Sequence, residues 1–313
     1  MKIAYLFFAY KNPRLIERVI GRLSTDDCAF FIHIDQKSSM NEFSRIRGEN
    51  VFFTEKRIPV YWAEFTGIEA ILLLIRQALA SAQDYKYLVL LSGSDYPLRS
   101  AGYIQSFLER NRGAEFMDIL KVPAPGKPLS RINTLRPPSS KPVRQFVARA
   151  LAKMGLAQRD YKKFLGSLDA YSGNTWWTLT REACQYIVDF VDENPHVGRY
   201  FQDVYAPEEA FFHTILGNSM FKSRIRRNLL YEDWSASVAH PAMINEQHIA
   251  FFQRLDQVCV NDTFGDGELL FARKFSDGDL ELLRRIDVMI EEKERFSRGC
   301  ELLGTEKPVS AKR

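Results

Sequence analysis

The sequence predicts an α/β protein built on a Rossmann-type parallel sheet, and three observations carry that prediction. The apolar runs at residues 3–9, 30–34 and 87–91 are nearly continuous rather than alternating, as in strands covered on both faces. Helical apolar spacing fills the intervals between them. Two of the runs end in a short polar segment that carries a carboxylate, Asp35 and Asp95, and the carboxyl ends of strands are where open α/β sheets hold ligands.

In chain order, Ile3 to Ala9 is a strand and Asn12-Pro13 opens a helix through Leu15, Ile16, Val19, Ile20 and Leu23. Phe30 to Ile34 completes a strand–helix–strand unit of ordinary length, which implies a parallel pair. A short strand at Asn50 to Thr54 follows. Trp62 to Thr66 then leads into an amphipathic helix through Ile68, Ile71, Leu72, Ile75 and Leu79. The strand Tyr87 to Leu91 closes a first, Rossmann-like half at residues 1–115. Residues 116–275 form a second half and 276–313 a C-terminal helix and tail. Six prolines from Pro123 to Pro142 break every periodic pattern, so this stretch is expected to be a lid or a disordered segment. Tyr171 to Leu179 reads as a strand, and Thr180 as the cap of the helix that follows. A helix Pro207 to Leu216, a strand Arg224 to Tyr231 and a charged amphipathic helix Asp279 to Phe296, a brace across the domain, complete the pattern.

With 313 residues, 46% hydrophobic and 26% charged, the chain is long enough for a substantial core. It has no run of about 18 apolar residues, and residues 1–10 read as a core strand rather than a signal peptide. The expectation is therefore a cytoplasmic protein. The four cysteines are far apart, with neither C-x-x-C nor His at metal-ligand spacing, and are expected to be free thiols. Lys141, Arg144, Arg149, Lys153, Arg159, Lys162 and Lys163 concentrate positive charge in one span. That span reads first as a solvated helix face, and otherwise as a surface for an anionic glycan or a peripheral contact with anionic membrane at its inner face. Nucleic acid is not expected as a partner, because the span lacks interleaved aromatics and any binding module.

Glu208 and Glu209 follow Pro207 at the start of a predicted helix. They either complement the helix dipole or include a general base aimed into a cleft, and the residues alone leave both readings open. The only D-x-D, Asp277-Gly278-Asp279, lies where Asp is a routine helix cap, so no metal site is assigned to it. Without a metal, fixed cations must neutralise a diphosphate, and Phe271-Ala272-Arg273-Lys274-Phe275 offers two. Trp176, Trp177 and Trp234 read first as core residues, but Trp176 and Trp177 are consecutive on a strand and face opposite ways, which allows one of them to open to a cleft; with Trp234 and Glu208 they are candidate substrate contacts. Asp95 is a candidate contact for the donor. G-x-G-x-x-G, the P-loop and the G-x-S-x-G elbow are all absent.

Taken together, Ile32 to Ser38, Trp62 to Ala70, Leu91 to Leu98, Tyr171 to Leu179, Tyr205 to Glu209, Asp233-Trp234-Ser235 and Phe271 to Phe275 resemble, in order and spacing, the core-2/I-branching N-acetylglucosaminyltransferase and peptide O-xylosyltransferase family. The resemblance implies a GT-A-like fold, an inverting reaction, a UDP-sugar donor and no metal or other cofactor. It implies that Asp35 contacts the nucleoside beside Trp62, that Glu209 is the catalytic base, that Lys274 binds diphosphate with Arg273 as a second cation, and that Trp234 contacts the acceptor. Ala236 stands where the family has an acceptor-side aromatic, and the 123–142 segment does not match the family's acceptor residues. The lack of an anchor suggests a bacterial relative that builds a cell-surface polysaccharide. The rival expectations are a sugar-nucleotide or glycan-binding protein without turnover, and a hydrolase that pairs Asp95 with Glu209 and releases free sugar.

Overall fold

A computed structural model describes residues 1–235 and 240–302, with side chains through residue 296. The first strand, β1 (Lys2–Ala9), is followed by helix α1 (Pro13–Leu23), strands β2 (Cys28–Ile34) and β3 (Val51–Phe53), helix α2 (Thr66–Ala80) and strand β4 (Tyr85–Ser92). β3, β2, β1 and β4 lie side by side and parallel. All seven residues of β2 are buried, as the unbroken apolar run requires of a strand covered on both faces. α1 buries Leu15, Ile16, Val19, Ile20 and Leu23, and α2 buries Ile68, Ile71, Leu72 and Ile75 on its inner side. The class read from the sequence, a Rossmann-type α/β sheet, is the one the chain adopts.

After β4 come a short strand β5 (Asp95–Pro97), helix α3 (Ala101–Arg110), strand β6 (Glu115–Lys121), short helix α4 (Ser130–Asn133), helices α5 (Pro142–Lys153) and α6 (Tyr161–Leu165) and the long strand β7 (Tyr171–Thr180). β7 pairs antiparallel with both β4 and β6, so the main sheet continues without interruption past residue 115. Helices α7 (Arg181–Glu193), α8 (Pro195–Phe201) and α9 (Phe211–Gly217), strands β8 (Ile225–Arg226) and β9 (Leu230–Glu232), helix α10 (Glu246–Arg254), the hairpin β10 (Cys259–Asp262) and β11 (Gly265–Glu268), strand β12 (Phe271–Arg273) and helix α11 (Leu280–Leu302) complete the chain. β5, β12 and β9 form a second, three-stranded sheet. α11 packs across α1 and β5: Asp287 takes Arg18 at 2.5 Å, Arg22 at 3.1 Å and the Tyr96 hydroxyl at 2.7 Å.

Three elements differ from the sequence expectation. The 123–142 segment is ordered: Ala124 bridges Lys127, Val122 donates to the Ala170 carbonyl at 2.9 Å, and α4 packs Ile132 inward. The helix expected from Pro207 is a 3-10 turn (Pro207–Glu209) and then α9, because Ala210 leaves helical geometry at φ −136°. The strand expected from Arg224 is two short strands in different sheets, because Asn228 turns in between to donate its N–H to the buried Asp118 at 3.0 Å. Cys28, Cys184 and Cys259 are free thiols. Ala236 lies outside the described residues.

Candidate functional site

The carboxyl ends of β1, β2 and β4 share one edge of the sheet, and the turn after each is fixed by polar side chains. Asn12, in the left-handed region at φ 60°, donates to the Gly93 carbonyl at 2.8 Å and the Ser94 hydroxyl at 3.1 Å. Gly93 admits no side chain, since a Cβ there would stand 2.7 Å from the Lys11 carbonyl. At the end of β2, Asp35 accepts from the Lys37 and Val60 backbone N–H groups at 3.0 and 3.2 Å, while Lys37 Nζ lies 3.5 Å from its other oxygen. The buried His33 beside it is held neutral, its pKa pushed down to about 4 chiefly by burial, and accepts from Ile58 N at 3.0 Å. Asp35 and His33 thus hold the 57–62 loop in place. That loop presents Trp62, 76% exposed, with its ring set edge-on to Tyr205 at 5.7 Å. Ala63 and Ala206 both sit at positive φ, 57° and 47°, and are joined by an Ala206 N–H to Ala63 carbonyl bond of 3.2 Å. Such backbone costs on the order of 1–3 kcal/mol per residue and persists where surrounding structure fixes it. Here it locks the Trp62 loop to the turn that carries Glu209.

The second sheet assembles a different cluster. Register places Arg273 between Asp95 and Glu232. Its Nε lies 3.4 Å from Asp95 and 3.6 Å from Glu232, and its guanidinium covers the Trp176 ring at 4.3 Å. Asp95 is further held by Ser92 N and Oγ, each at 2.6 Å. Glu232 accepts from the Asn174 amide and, at 3.3 Å, from Trp234 Nε1. Burial pushes both carboxyls up and the arginine charge draws them back. One cation enclosed by two carboxylates has no surplus positive charge, so Arg273 differs from the free second cation that the sequence suggests. Its neighbour Lys274 makes no ion pair among the described residues. Burial lowers the pKa of that ammonium first, and the charges of Arg273 and Lys11 lower it further. Lys274 and Lys11 are cations next to the strand-end turns and, unlike Lys37, pair with no carboxylate among the described residues.

Glu209 belongs to a third cluster. Its Oε2 accepts from Lys127 Nζ at 2.5 Å and Arg131 Nη1 at 2.6 Å. Among the described residues no protein group bonds Oε1. Lys127 also donates to the Gly173 carbonyl at 2.7 Å, and Ser172 Oγ donates to the Glu209 carbonyl at 2.8 Å. Glu209, Lys127, Arg131, Ser172 and Tyr205 line one small cavity, and Glu208 is not among its lining residues. Glu208 instead carries a buried, unpartnered Oε2; burial, and then the charge of Glu209, push its carboxyl up to about 7. His213 is buried and neutral, its Nε2 on the Asn174 carbonyl at 2.9 Å.

β7 ties the clusters together. Ser172 touches Glu209, Gly173 touches Lys127, Asn174 touches Glu232 and Trp176 touches Arg273, all within about 13 Å of strand. Gly173 is obligatory, since a Cβ there would fall 1.7 Å from the Asp118 carbonyl oxygen. Neither tryptophan of β7 opens to solvent, in line with the core reading and against the cleft reading: Trp177 packs edge-on against Phe212 in the core, and the Trp176 ring is covered by Arg273. Trp234 is the exposed one, at 47%. Both carboxylates of the D-x-D are engaged: Asp277 accepts from Leu15 N in the first turn of α1 at 2.8 Å, and Asp279 from Ser276 N at 2.6 Å. Sequence inspection does not single out Lys127, Arg131, Asn174 or Glu232, whose contacts exist only once β7 is placed. Lys11 carries a legible signal, a lysine directly after the first strand.

Strand-end turns with flanking lysines thus lie on the same sheet as a cavity-lining carboxylate, and sequence comparison places the chain in a family. The Core-2/I-Branching enzyme family matches residues 3–256, and the chain belongs to it. The chain is 25% identical over 218 residues to beta-1,3-galactosyl-O-glycosyl-glycoprotein beta-1,6-N-acetylglucosaminyltransferase 4 of Danio rerio, covering 67% of this chain and 48% of that one. It is 25% identical over 264 residues to xylosyltransferase 2 of Canis lupus familiaris, covering 75% and 27%. The chain therefore spans less than half the length of either relative. Among solved structures, the WbbM bifunctional glycosyltransferase in its apo form matches with a TM-score of 0.40 at 10% identity, over 94% of this chain and 51% of that one. Among the described residues, no helix is long and apolar enough to cross a membrane.

Proposed function

We propose that the protein is an inverting, metal-independent glycosyltransferase that moves N-acetylglucosamine or xylose from a UDP-sugar to a hydroxyl of a glycan acceptor, with Glu209 as general base. The donor sugars follow the printed names of the relatives. The observation that carries the base assignment is the division between two adjacent carboxyls: Glu209 lines the cavity, while Glu208 has an oxygen buried without a partner. Lys127 and Arg131 hold Oε2, which leaves Oε1 to receive the proton. In the reaction the acceptor O–H gives its proton to Oε1, the acceptor oxygen bonds the anomeric carbon from the face opposite UDP, and the bond from that carbon to the diphosphate oxygen breaks, with its electrons leaving on UDP. A positioned base of this kind contributes about two to four powers of ten in rate.

Lys274 and Lys11 support metal-free binding of the diphosphate, because both lie at the strand-end edge and neither is tied to a carboxylate among the described residues. Fixed cations there stabilise the charge that develops on the leaving group. Asp35 serves the donor by fixing the loop that presents Trp62. The test is calorimetric titration of the chain with UDP in excess EDTA. Unchanged affinity is expected; loss of binding that manganese restores would overturn the metal-free reading.

A further inference from the structure

Helix α5 presents its apolar residues to solvent. Val143, Phe146, Val147, Ala150 and Met154 recur at i, i+3, i+4, i+7 and i+11, the spacing of one helical face, and all are exposed; Val143 and Phe146 are 75% and 73% exposed. The opposite side is the anchored one. Ala148 is its buried residue, and Arg144 pairs with Asp203 at 2.6 Å. An apolar stripe of this size on a surface marks a contact with something.

The charges beside it say what. Residues 141–159 contain Lys141, Arg144, Arg149, Lys153 and Arg159 and no Asp or Glu. Arg144 is paired with Asp203 and Arg159 donates to the Tyr200 and Asp203 carbonyls, which leaves Lys141, Arg149 and Lys153 exposed and without an ion pair among the described residues. Apolar side chains flanked by lysine and arginine alone match a bilayer with anionic headgroups: the stripe enters the acyl boundary while the cations stay at the phosphates. A second copy of the chain would bring like charges together, and an acidic protein would leave the apolar stripe unmatched. The stripe continues into Leu156, 64% exposed, so the contact extends beyond the helix itself.

We propose that α5 is an interfacial helix that adsorbs the protein to an anionic membrane surface. The inference is independent of the donor chemistry, and its test does not read transfer. The full chain is sedimented with sucrose-loaded vesicles of phosphatidylcholine containing about 30 mol % phosphatidylglycerol, and with vesicles of phosphatidylcholine alone. Binding to the anionic vesicles, reduced by high salt, is expected. The double variant Phe146→Ser, Met154→Ser should weaken partitioning at least tenfold, and Arg149→Gln and Lys153→Gln by about fivefold each. All these positions are exposed, and melting temperature together with UDP affinity serves as the check on folding. The proposal falls if the wild-type chain ignores anionic vesicles, or if the substitutions leave binding unchanged. It falls equally if sedimentation velocity finds a dimer that the Phe146→Ser, Met154→Ser variant dissociates while vesicles are not bound, which would make the face a self-interface.

Discussion

Replacing Glu208 with Gln should change the pH dependence of stability in a defined direction. Its carboxyl has a buried, unpartnered oxygen and is pushed up to about 7, by burial first and by Glu209 second, against an ordinary value of 4.5. Between those two values the unfolded chain has released this proton and the folded chain still holds it. Stability therefore falls as pH rises through the window, because the folded state binds more protons than the unfolded one. A gap of about 2.5 pH units at about 1.4 kcal/mol each amounts to a ceiling of roughly 3 kcal/mol. Gln cannot ionise, so the variant escapes the loss. The stability difference, variant minus wild type, should widen by up to about 3 kcal/mol between pH 4.5 and pH 7.5. For a chain of 313 residues this is about 5 °C in melting temperature. Differential scanning calorimetry of both proteins at pH 5, 6, 7 and 8 reads it. Melting curves that stay parallel across that range would refute the inference that burial keeps the Glu208 carboxyl protonated in the folded chain.

The cations and the Asp35 loop give further expectations. Arg273→Met leaves Asp95 and Glu232 buried without their counter-charge and should destabilise by about 3–5 kcal/mol, seen as a lowered melting temperature. Lys274→Ala should leave melting within about 2 °C and weaken UDP binding by roughly tenfold or more in calorimetry; the opposite pattern would exchange the roles of the two residues. Asp35→Ala removes the acceptor for Lys37 N and Val60 N, so UDP affinity should fall by about tenfold while the sheet persists by circular dichroism. Unchanged UDP affinity in the folded variant would remove Asp35 from the donor site.

Much of the sheet was legible because β1, β2 and β4 are buried on both faces and so leave unbroken apolar runs, and because Pro13 marks the start of α1. Strand-end positions follow from that, which is why Asp35, Asp95 and Lys274 stand out as residues at element edges. What they touch was not legible. Glu209 meets Lys127 and Arg131 across 82 and 78 residues, and the periodicity of a Pro-rich segment carries no trace of such a contact. Arg273 and Lys274 are adjacent letters with unlike surroundings, since β12 ends between them: register sets Arg273 between Asp95 and Glu232, and Lys274 lies past the strand end. The 3-10 turn before α9 escaped because Ala206 and Ala210 adopt backbone geometry that alanine does not advertise. Trp176 and Trp177 point oppositely as alternation requires, yet each face is covered, Trp176 by Arg273 of the second sheet and Trp177 by Phe212 of α9.

The most direct test of Glu209 as general base is the turnover of Glu209→Gln with a UDP-sugar and glycan acceptor, measured beside Glu208→Gln and beside UDP affinity by calorimetry. Gln keeps the reach to Lys127 and Arg131 but accepts no proton at neutral pH. Transfer should fall by roughly 100-fold or more with donor binding retained, while Glu208→Gln loses far less. Equal, small losses in both variants would mean that the two carboxyls only stabilise their turn, and the assignment of the base to Glu209 would fail.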